Sequence, residues 1–460
     1  MRTLTILSLS TALLAGCSFT TAGGLSECET SADCGKDMVC SDSFCLPQPA
    51  GCGQIFGDLS ADAVQIGAAL PLSLSATDPT QGQDASEVQG LNAIRLALDE
   101  INDRGAAGKK LALNVCDTAG DTAITGTQTQ WLLKEKKIVA LLTAGSAQTL
   151  AATALTLPAQ VLTMSSSATS PELTRREDNT KLGLLWRTAP SDAIQGKVIA
   201  NLLLNDPDLS AVQRVGILYL DDAYGQGLFN VITETLGTRK TLRSVPYTRK
   251  TDNIDAPLAQ IDTFDPDLTV MVGFEDDVSR FIKRAATSTN MKAGTGHRWF
   301  FTDSAKDVAL LSDSTVRGQV QGAYGTAPAQ GAGQAFSAFQ SRFQSKYNAD
   351  PSNFSFTSHA YDAMYLFGLA VAYSQGTSNS VTGIKMAEAL TKVSSGTSIQ
   401  LTSSNFTQAA SELAAGRSVD VEGASGSLTF DAAGEAPSPI ELWQVEAATF
   451  KSLRNVPPPP

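Results

Sequence analysis

Two histidines in 460 residues leave little material for imidazole chemistry, and His297 and His359 stand apart from every cysteine. The chain has no HExxH pair, no GxSxG elbow and no phosphate-binding glycine loop. Its adjacent acidic residues, Asp221–Asp222 and Asp276–Asp277, fall where they would cap helices. These absences exclude the common hydrolase, zinc-protease and nucleotide-processing designs, so no catalytic residue, cofactor or metal is expected and the protein is read as a non-enzyme. Charged residues make up only 17% of the chain with a net charge of −12, so it lacks the basic face a nucleic-acid partner would need. Past the amino terminus, no run approaches the roughly 18 uninterrupted apolar residues of a membrane-spanning helix.

What is present begins at Met1. Arg2, the short apolar run "LTILSLSTALL" and the small residues of "LAGC" read as an export signal over residues 1–16. Small residues leading into Cys17 resemble the bacterial lipobox, which implies cleavage before Cys17 and lipidation of that cysteine; the alternative is a plain signal peptide. The chain would then be anchored to a membrane in the cell envelope, facing the periplasm or the exterior. In Gram-negative sorting an Asp after the lipidated cysteine holds the protein at the inner membrane. Ser18 therefore points to the outer one.

Residues 17–61 read as the lipidated cysteine, a polar tether and a disulfide module. Cys28, Cys34, Cys40, Cys45 and Cys52 crowd into one short stretch, and small exported segments that cannot build a core use covalent staples. A zinc site is disfavoured, since no CxxC pair or nearby histidine is available. Five is odd, and the only other cysteine besides Cys17 is Cys116. The expected pairing is Cys28–Cys40 and Cys34–Cys45 within the module, with Cys52–Cys116 joining it to the main domain. Spacing does not fix connectivity, and a buried free thiol at Cys116 remains open.

With 42% hydrophobic residues, the chain is long enough for two lobes. From residue 62 apolar strand-like runs alternate with helical periodicity: "AVQIGAALPL", then "EVQGLNAIRLALDEIND", "LALNVCD", "IVALLTAG" and "QVLTMSS". The alternation resumes after "RTAPSDAIQG" with "VGILYLD", "LTVMVGF" and "RWFFTDS". Repeated alternation predicts parallel sheets covered by helices. A more helical stretch follows, and "GSLTFDAAGEAPSPIELWQVEAATF" reads as a β hairpin turning at "DAAGE". A Pro-rich tail is expected over residues 453–460.

Ligands of parallel α/β sheets gather at the carboxyl ends of strands. Ser146 and Thr149 follow "IVALL", and Ser167, Ala168 and Thr169 precede "SPEL", where Ser170 caps, Pro171 takes the first helical position and Glu172 the first turn. Hydroxyls and amides there suit a carboxylate, although capping alone would explain Ser146 and Ser170. Tyr224, Phe274 and Asp303 end three strands of the second half, and two aromatics with one carboxylate suit an ammonium group.

The motifs "IGAALPLS", "ALDEINDRG", "CDTAGD", "SAQT", "SSATSPELT", "RTAPSDAIQG", "DDAYGQG", "AYDAMYLFGLA" and "GSLTFDAAGE" occur in one order over about residues 62–450. In that order the chain resembles the type I periplasmic solute-binding proteins, in the branched-chain amino-acid (leucine/isoleucine/valine) branch of ABC-transporter receptors. The resemblance implies a two-lobed α/β fold, each lobe a mostly parallel sheet flanked by helices, with three crossovers near Pro190, Ala327 and Gly426. Lobe 1 would span 62–190 plus 327–425, and lobe 2 would span 191–326 plus 426–452. It further implies a monomer that captures an amino acid or similar small polar ligand for an ABC permease. Ser146, Ser167 and Thr169 would match carboxylate-holding positions, Tyr224 and Phe274 the aromatic wall, and Asp303 the partner of the α-ammonium. Phe274 replaces a frequent tyrosine and Asp303 a frequent glutamate. The stretch "LSATDPTQGQDASE", expected to line the side-chain pocket, is unusually long, and the cysteine module lies outside the family pattern. An envelope-anchored sensor or interaction lipoprotein on the same fold is the alternative.

Overall fold

The computed structural model describes residues 26–30, 33–35, 38–41, 43–174 and 183–459. The signal segment 1–16 and Cys17 lie outside the described residues. The chain divides into two compact units, Met1–Gln48 and Pro49–Pro460.

The described part of the first unit is a hairpin of β1 (Met38–Ser41) and β2 (Phe44–Pro47), with Cys40 opposite Cys45. Disulfides Cys28–Cys40 and Cys34–Cys45 hold it together. The only apolar side chains buried there are cysteines, Cys28 and Cys45 among the described residues, so covalent links substitute for a core.

The second unit opens with β3 (Cys52–Gly57), β4 (Val64–Leu70), α1 (Ala85–Arg104), β5 (Leu111–Asp117), α2 (Thr122–Lys134), β6 (Ala140–Thr143), α3 (Ser146–Thr156), β7 (Leu162–Ser165) and β8 (Leu185–Arg187). Their sheet runs in the order β3-β5-β4-β6-β7-β8, parallel except at β3. Strands β4 to β7 are nearly all apolar because helices cover both faces. Strand β3 corrects the expected boundary at residue 61: its side chains are mostly exposed, so no apolar alternation marks it, yet it pairs antiparallel with β5 and Cys52 is bonded to Cys116. The compact cysteine unit therefore ends at Gln48.

The chain leaves this sheet after β8 and enters α4 (Asp192–Asn205), whose Val198, Ile199 and Leu203 belong to a second core. There follow β9 (Arg214–Leu220), α5 (Ala223–Leu236), β10 (Thr241–Tyr247), α6 (Asp255–Phe264), β11 (Leu268–Val272), α7 (Glu275–Ala285), β12 (Arg298–Phe301), α8 (Ser314–Val320) and β13 (Tyr324–Pro328). The chain then returns to the first lobe through α9 (Gln334–Tyr347), α10 (Thr357–Ser378), α11 (Gly383–Leu390), β14 (Thr397–Gln400), α12 (Phe406–Ala414), β15 (Val419–Gly423) and β16 (Gly426–Ser427). Helix α10 is buried almost all round and packs beside α1, where Gly368 lets Ile101 approach within 2.9 Å of a would-be Cβ.

The last crossing falls later than Gly426. Gly426 and Ser427 pair with β15, Leu428 lies in the first core, and the Gly434 carbonyl accepts from the Arg187 amide. Only at Ile440 does the chain enter the second sheet, as β17 (Ile440–Glu446) followed by β18 (Thr449–Val456). The hairpin expected to turn at "DAAGE" is therefore two separate features: "DAAGE" turns within the first lobe, and the true hairpin turns at Ala447, whose φ is 57°. Strand β18 also takes in Leu453 to Val456, expected as tail. The second sheet reads β10-β9-β11-β12-β13-β17-β18, parallel through β13 and antiparallel beyond it. Among the described residues no helix is long and apolar enough to cross a membrane.

Candidate functional site

The first lobe offers a wall of donors where β6 and β7 end. Gly145, with φ 75°, turns the chain into α3 and occupies the cap position. Ser146 is thus the first helical residue and does not cap, contrary to the expectation from its position after the strand; its Oγ accepts from the Ser170 amide at 3.2 Å. Ser167 Oγ accepts from the Gly145 amide at 3.0 Å. Ser170 does cap, accepting from the Glu172 amide ahead of the single 3-10 turn Pro171–Leu173. Buried Arg187 fastens this loop by donating to the carbonyls of Ala168 and Ser170, at 3.2 and 2.8 Å, while it pairs with Glu435. Gly145, Ser146 and Ser167 line a cavity between the lobes, next to the positive end of α3.

The opposite wall belongs to the second lobe. Asp222 caps α5 by accepting from the Gly225 amide at 2.9 Å, which sets Tyr224 in the first turn with only 2% exposure. The Tyr224 hydroxyl donates to Asp303 Oδ1 at 2.6 Å, and Gln195 Nε2 donates to the same oxygen at 3.1 Å. Asp303 Oδ2 is buried without a partner. Phe274 lies 5.7 Å from the Tyr224 ring, and Arg249 stacks on Phe274 at 4.0 Å. Tyr224, Phe274 and Asp303 line the same cavity as Ser146 and Ser167. Asp276 and Asp277 do not cap α7, against expectation. Asp276 pairs with Arg249, and Asp277 accepts from the Lys250 amide at 2.9 Å.

The cavity is acidic. Asp84 and Glu87 reach it from the start of α1, Glu275 from the start of α7, and Asp307 joins Asp303. Burial and then Asp84 push Glu87 up to about 8; burial and then Asp307 push Glu275 up to about 8. Burial also raises Asp84 and Asp303, and it raises Asp192 well above the carboxylate range with Asp303 as the next cause. A folded-state value above the unfolded one means that the native protein binds more protons, so stability is present at low pH and is lost as pH rises through the folded value. The empty protein should lose stability between about pH 4.5 and 8, with Asp277, Asp307 and Asp362, each raised to about 6, adding to the loss in the lower part of that range. Replacing Glu87 and Glu275 together by glutamine should raise the melting temperature at pH 8 by roughly 1 °C, for on the order of 1 kcal/mol regained. Calorimetric melts that stay level across this range in the native protein would contradict the assignment.

Residues 89–447 match the model for the receptor family ligand binding region. The chain belongs to this family. The matched residues form a ligand-binding region. One curated relative, the chemotactic signal transduction system substrate-binding protein BasB of Halobacterium salinarum, is 30% identical over 216 residues, 46% of this chain and 50% of that protein. Glutamate receptor 2.1 of Arabidopsis thaliana is 26% identical over 284 residues, 60% of this chain and 30% of the receptor. The chain thus spans about half the length of the first and under a third of the second. A leucine-binding protein of Thermotoga maritima superposes with TM-score 0.70 at 19% identity, covering 86% of this chain and 99% of that one. The branched-chain amino-acid transporter substrate-binding protein of Streptococcus pneumoniae, solved with isoleucine, gives 0.66 at 20% identity over 86% and 100%. A solute-binding protein of R. palustris in complex with benzoate gives 0.65 at 15% identity over 86% and 97%. At these identities the likeness is one of fold, the two-lobed α/β architecture of type I binding proteins.

Within this family fold, the sequence-selected residues separate into those facing the cavity and those behind its wall. Ser146, Ser167, Tyr224, Phe274 and Asp303 face it. Thr149 is fully buried, donating to the Gly145 carbonyl at 2.7 Å and meeting Thr143 and Ser165. Ala168 donates its amide to Ser165 Oγ, and Thr169 donates to Asp192 Oδ2 at 2.8 Å. These three hold the loop's shape. Sequence reasoning held Asp84 and Glu87 only within the stretch "LSATDPTQGQDASE" expected to line the pocket, without singling them out, and it missed Glu275 and Asp307; all four sit at helix or turn starts where acidic residues ordinarily serve the dipole. It also missed Gln195 and Asp192, although both lie inside "RTAPSDAIQG". His359 is buried and His297 half-buried, and desolvation lowers them to about 3 and about 4.

Proposed function

We propose that the protein is a lipid-anchored, extracytoplasmic solute-binding protein that takes an α-amino acid into the interlobe cleft and presents it, as a monomer, to an ABC permease. The observation that carries this reading is the polarity of the cavity. A free carboxylate oxygen of Asp303 on one wall faces hydroxyls and a helix amino terminus on the other, an arrangement complementary to a zwitterion. The isoleucine and benzoate complexes of the structural neighbours share a ligand carboxylate, which suits the Ser146 and Ser167 side; benzoate has no cation to place beside Asp303. Lobe closure is driven by contacts that the ligand makes only when both walls reach it.

A melting-temperature screen of the amino acids tests the reading. Ligand at 100 times its dissociation constant should stabilise the protein by about 2.7 kcal/mol. Silence across all twenty would count decisively against amino-acid capture. A sensor or interaction lipoprotein is the second reading, favoured by the chemotactic naming of the halobacterial relative and by the separate cysteine unit. Deleting the gene separates the two: transport predicts lost uptake of the labelled ligand, whereas sensing predicts intact uptake with a lost behavioural response.

A further inference from the structure

The donor wall and Asp303 account for the two charges of a zwitterion, which leaves Asp84, Glu87, Glu275 and Asp307 lining the same cavity without a stated purpose. No lysine, arginine or histidine is among the described lining residues. The nearest cations answer these carboxylates only in part: Arg249 lies over Phe274, pairs with Asp276 at 3.8 Å and draws Glu87 and Asp84 down by its charge without outweighing their burial, while Lys250 reaches across to the carbonyls of Leu74 and Ala119. Asp84 spends one oxygen on the Glu87 amide, and Asp307 spends one on the Ala309 amide. Among the described residues no hydrogen bond or ion pair holds the carboxylates of Glu87 and Glu275. Asp303, at 1% exposure and with an unpartnered oxygen, answers the α-ammonium, so these carboxylates stand in excess of the one a zwitterion needs.

A metal ion fits poorly. Among the described residues no three of these carboxylates bring oxygens within 4.8 Å of one another, so they are spread along the cavity and do not converge on a point. An aliphatic side chain fits poorly as well, because it would strip water from Glu87 and Glu275 and return no hydrogen bond. An elongated organic cation satisfies both constraints, with one positive end at Asp303 and the other between α1 and α7.

Resting on the amino-acid reading above, we propose that the ligand is an amino acid with a cationic side chain, its side-chain ammonium or guanidinium held by Glu87 and Glu275 across the cleft. The stretch "LSATDPTQGQDASE" then supplies specificity through its last residues, Asp84 and Glu87, one from the cap and one from the first turn of α1. Cation binding in the closed cleft draws protons off both glutamates, so affinity for a basic amino acid rises with pH between 6 and 8.

Titration calorimetry of the full chain with lysine, ornithine, arginine and leucine at pH 7.5 tests this. At least one basic amino acid should bind tenfold or more tightly than leucine. Leucine binding as tightly as the best of them would overturn the inference while leaving amino-acid capture intact. Absence of binding by all twenty amino acids would remove both. Glu87→Gln and Glu275→Gln are near-isosteric and relieve like-charge repulsion, so each should fold, as circular dichroism would verify. Each should lower the preference for the basic amino acid over leucine by tenfold or more. An unchanged preference in both variants would overturn the assignment.

Discussion

Asp303→Ala is expected to weaken the amino acid selected by the melting screen about 100-fold. Asp303 is held in place through Oδ1 by Tyr224 and Gln195, so its second oxygen is pre-aimed and pays little ordering entropy when a cation arrives. Truncating one member of a buried, hydrogen-bonded charge pair costs 2–5 kcal/mol or more, and each 1.4 kcal/mol is a factor of ten. Asp303→Asn preserves volume while losing the charge, and it should fall between the alanine variant and the native protein. The empty alanine variant loses a buried carboxylate but leaves the Tyr224 hydroxyl and the Gln195 amide without that acceptor, at a cost of about 1–3 kcal/mol, so it should melt below the native protein. Calorimetry returning native affinity for Asp303→Ala would take this residue out of the site.

Loss of the Cys52–Cys116 disulfide is expected to have the largest effect on stability. The bond spans a sequence separation of 64 residues and ties the edge strand β3 to β5. Chain-entropy reasoning for a loop of that length puts its contribution near 4 kcal/mol. Beyond the ladder the edge is held by Phe56, which packs against the first core under Arg95 at 4.2 Å, by the Asp117 amide on the Gly51 carbonyl at 2.9 Å and by the Gln128 side chain on the Ala50 carbonyl at 2.7 Å, but most β3 side chains are exposed. The double variant Cys52→Ser/Cys116→Ser should therefore unfold at lower urea and exchange the β3 amides early. Ligand affinity should stay within about threefold, since the cavity-lining residues lie elsewhere in the lobe. A stability loss below about 1 kcal/mol would show that the ladder alone carries the strand.

Most of the architecture was legible because parallel strands covered on both faces must be apolar along their length. β4, β5, β6, β9 and β11 announce themselves in this way. Edge and crossing segments carry no such signature. β3 exposes most of its side chains, and β14 to β16 form a small sheet on the first lobe from short mixed runs. The false hairpin at "DAAGE" shows the same limit: apolar residues flank the turn on both sides, but Leu428 is buried in one lobe and Ile440 in the other. Local pattern records that a residue is buried and not which core buries it.

The sequence by itself determined the alternating α/β class, the dense cysteine segment and the chemical kinds of group near the strand ends, since these depend on composition and periodicity along the chain. Tertiary structure alone decided which hydroxyls face the cleft. Ser146 and Ser167 do, whereas Thr149 and Thr169 are spent inside the wall, a difference set by backbone direction at Gly145 and by the Arg187 clamp. It also decided that Asp84, Glu87, Glu275, Asp303 and Asp307, scattered over more than two hundred positions of sequence, share one low-dielectric space. Apart on the surface they would be ordinary solvated caps; brought together and buried with few cations to answer them, they hold their protons more tightly, which is the ground of the proposed preference for a cationic side chain.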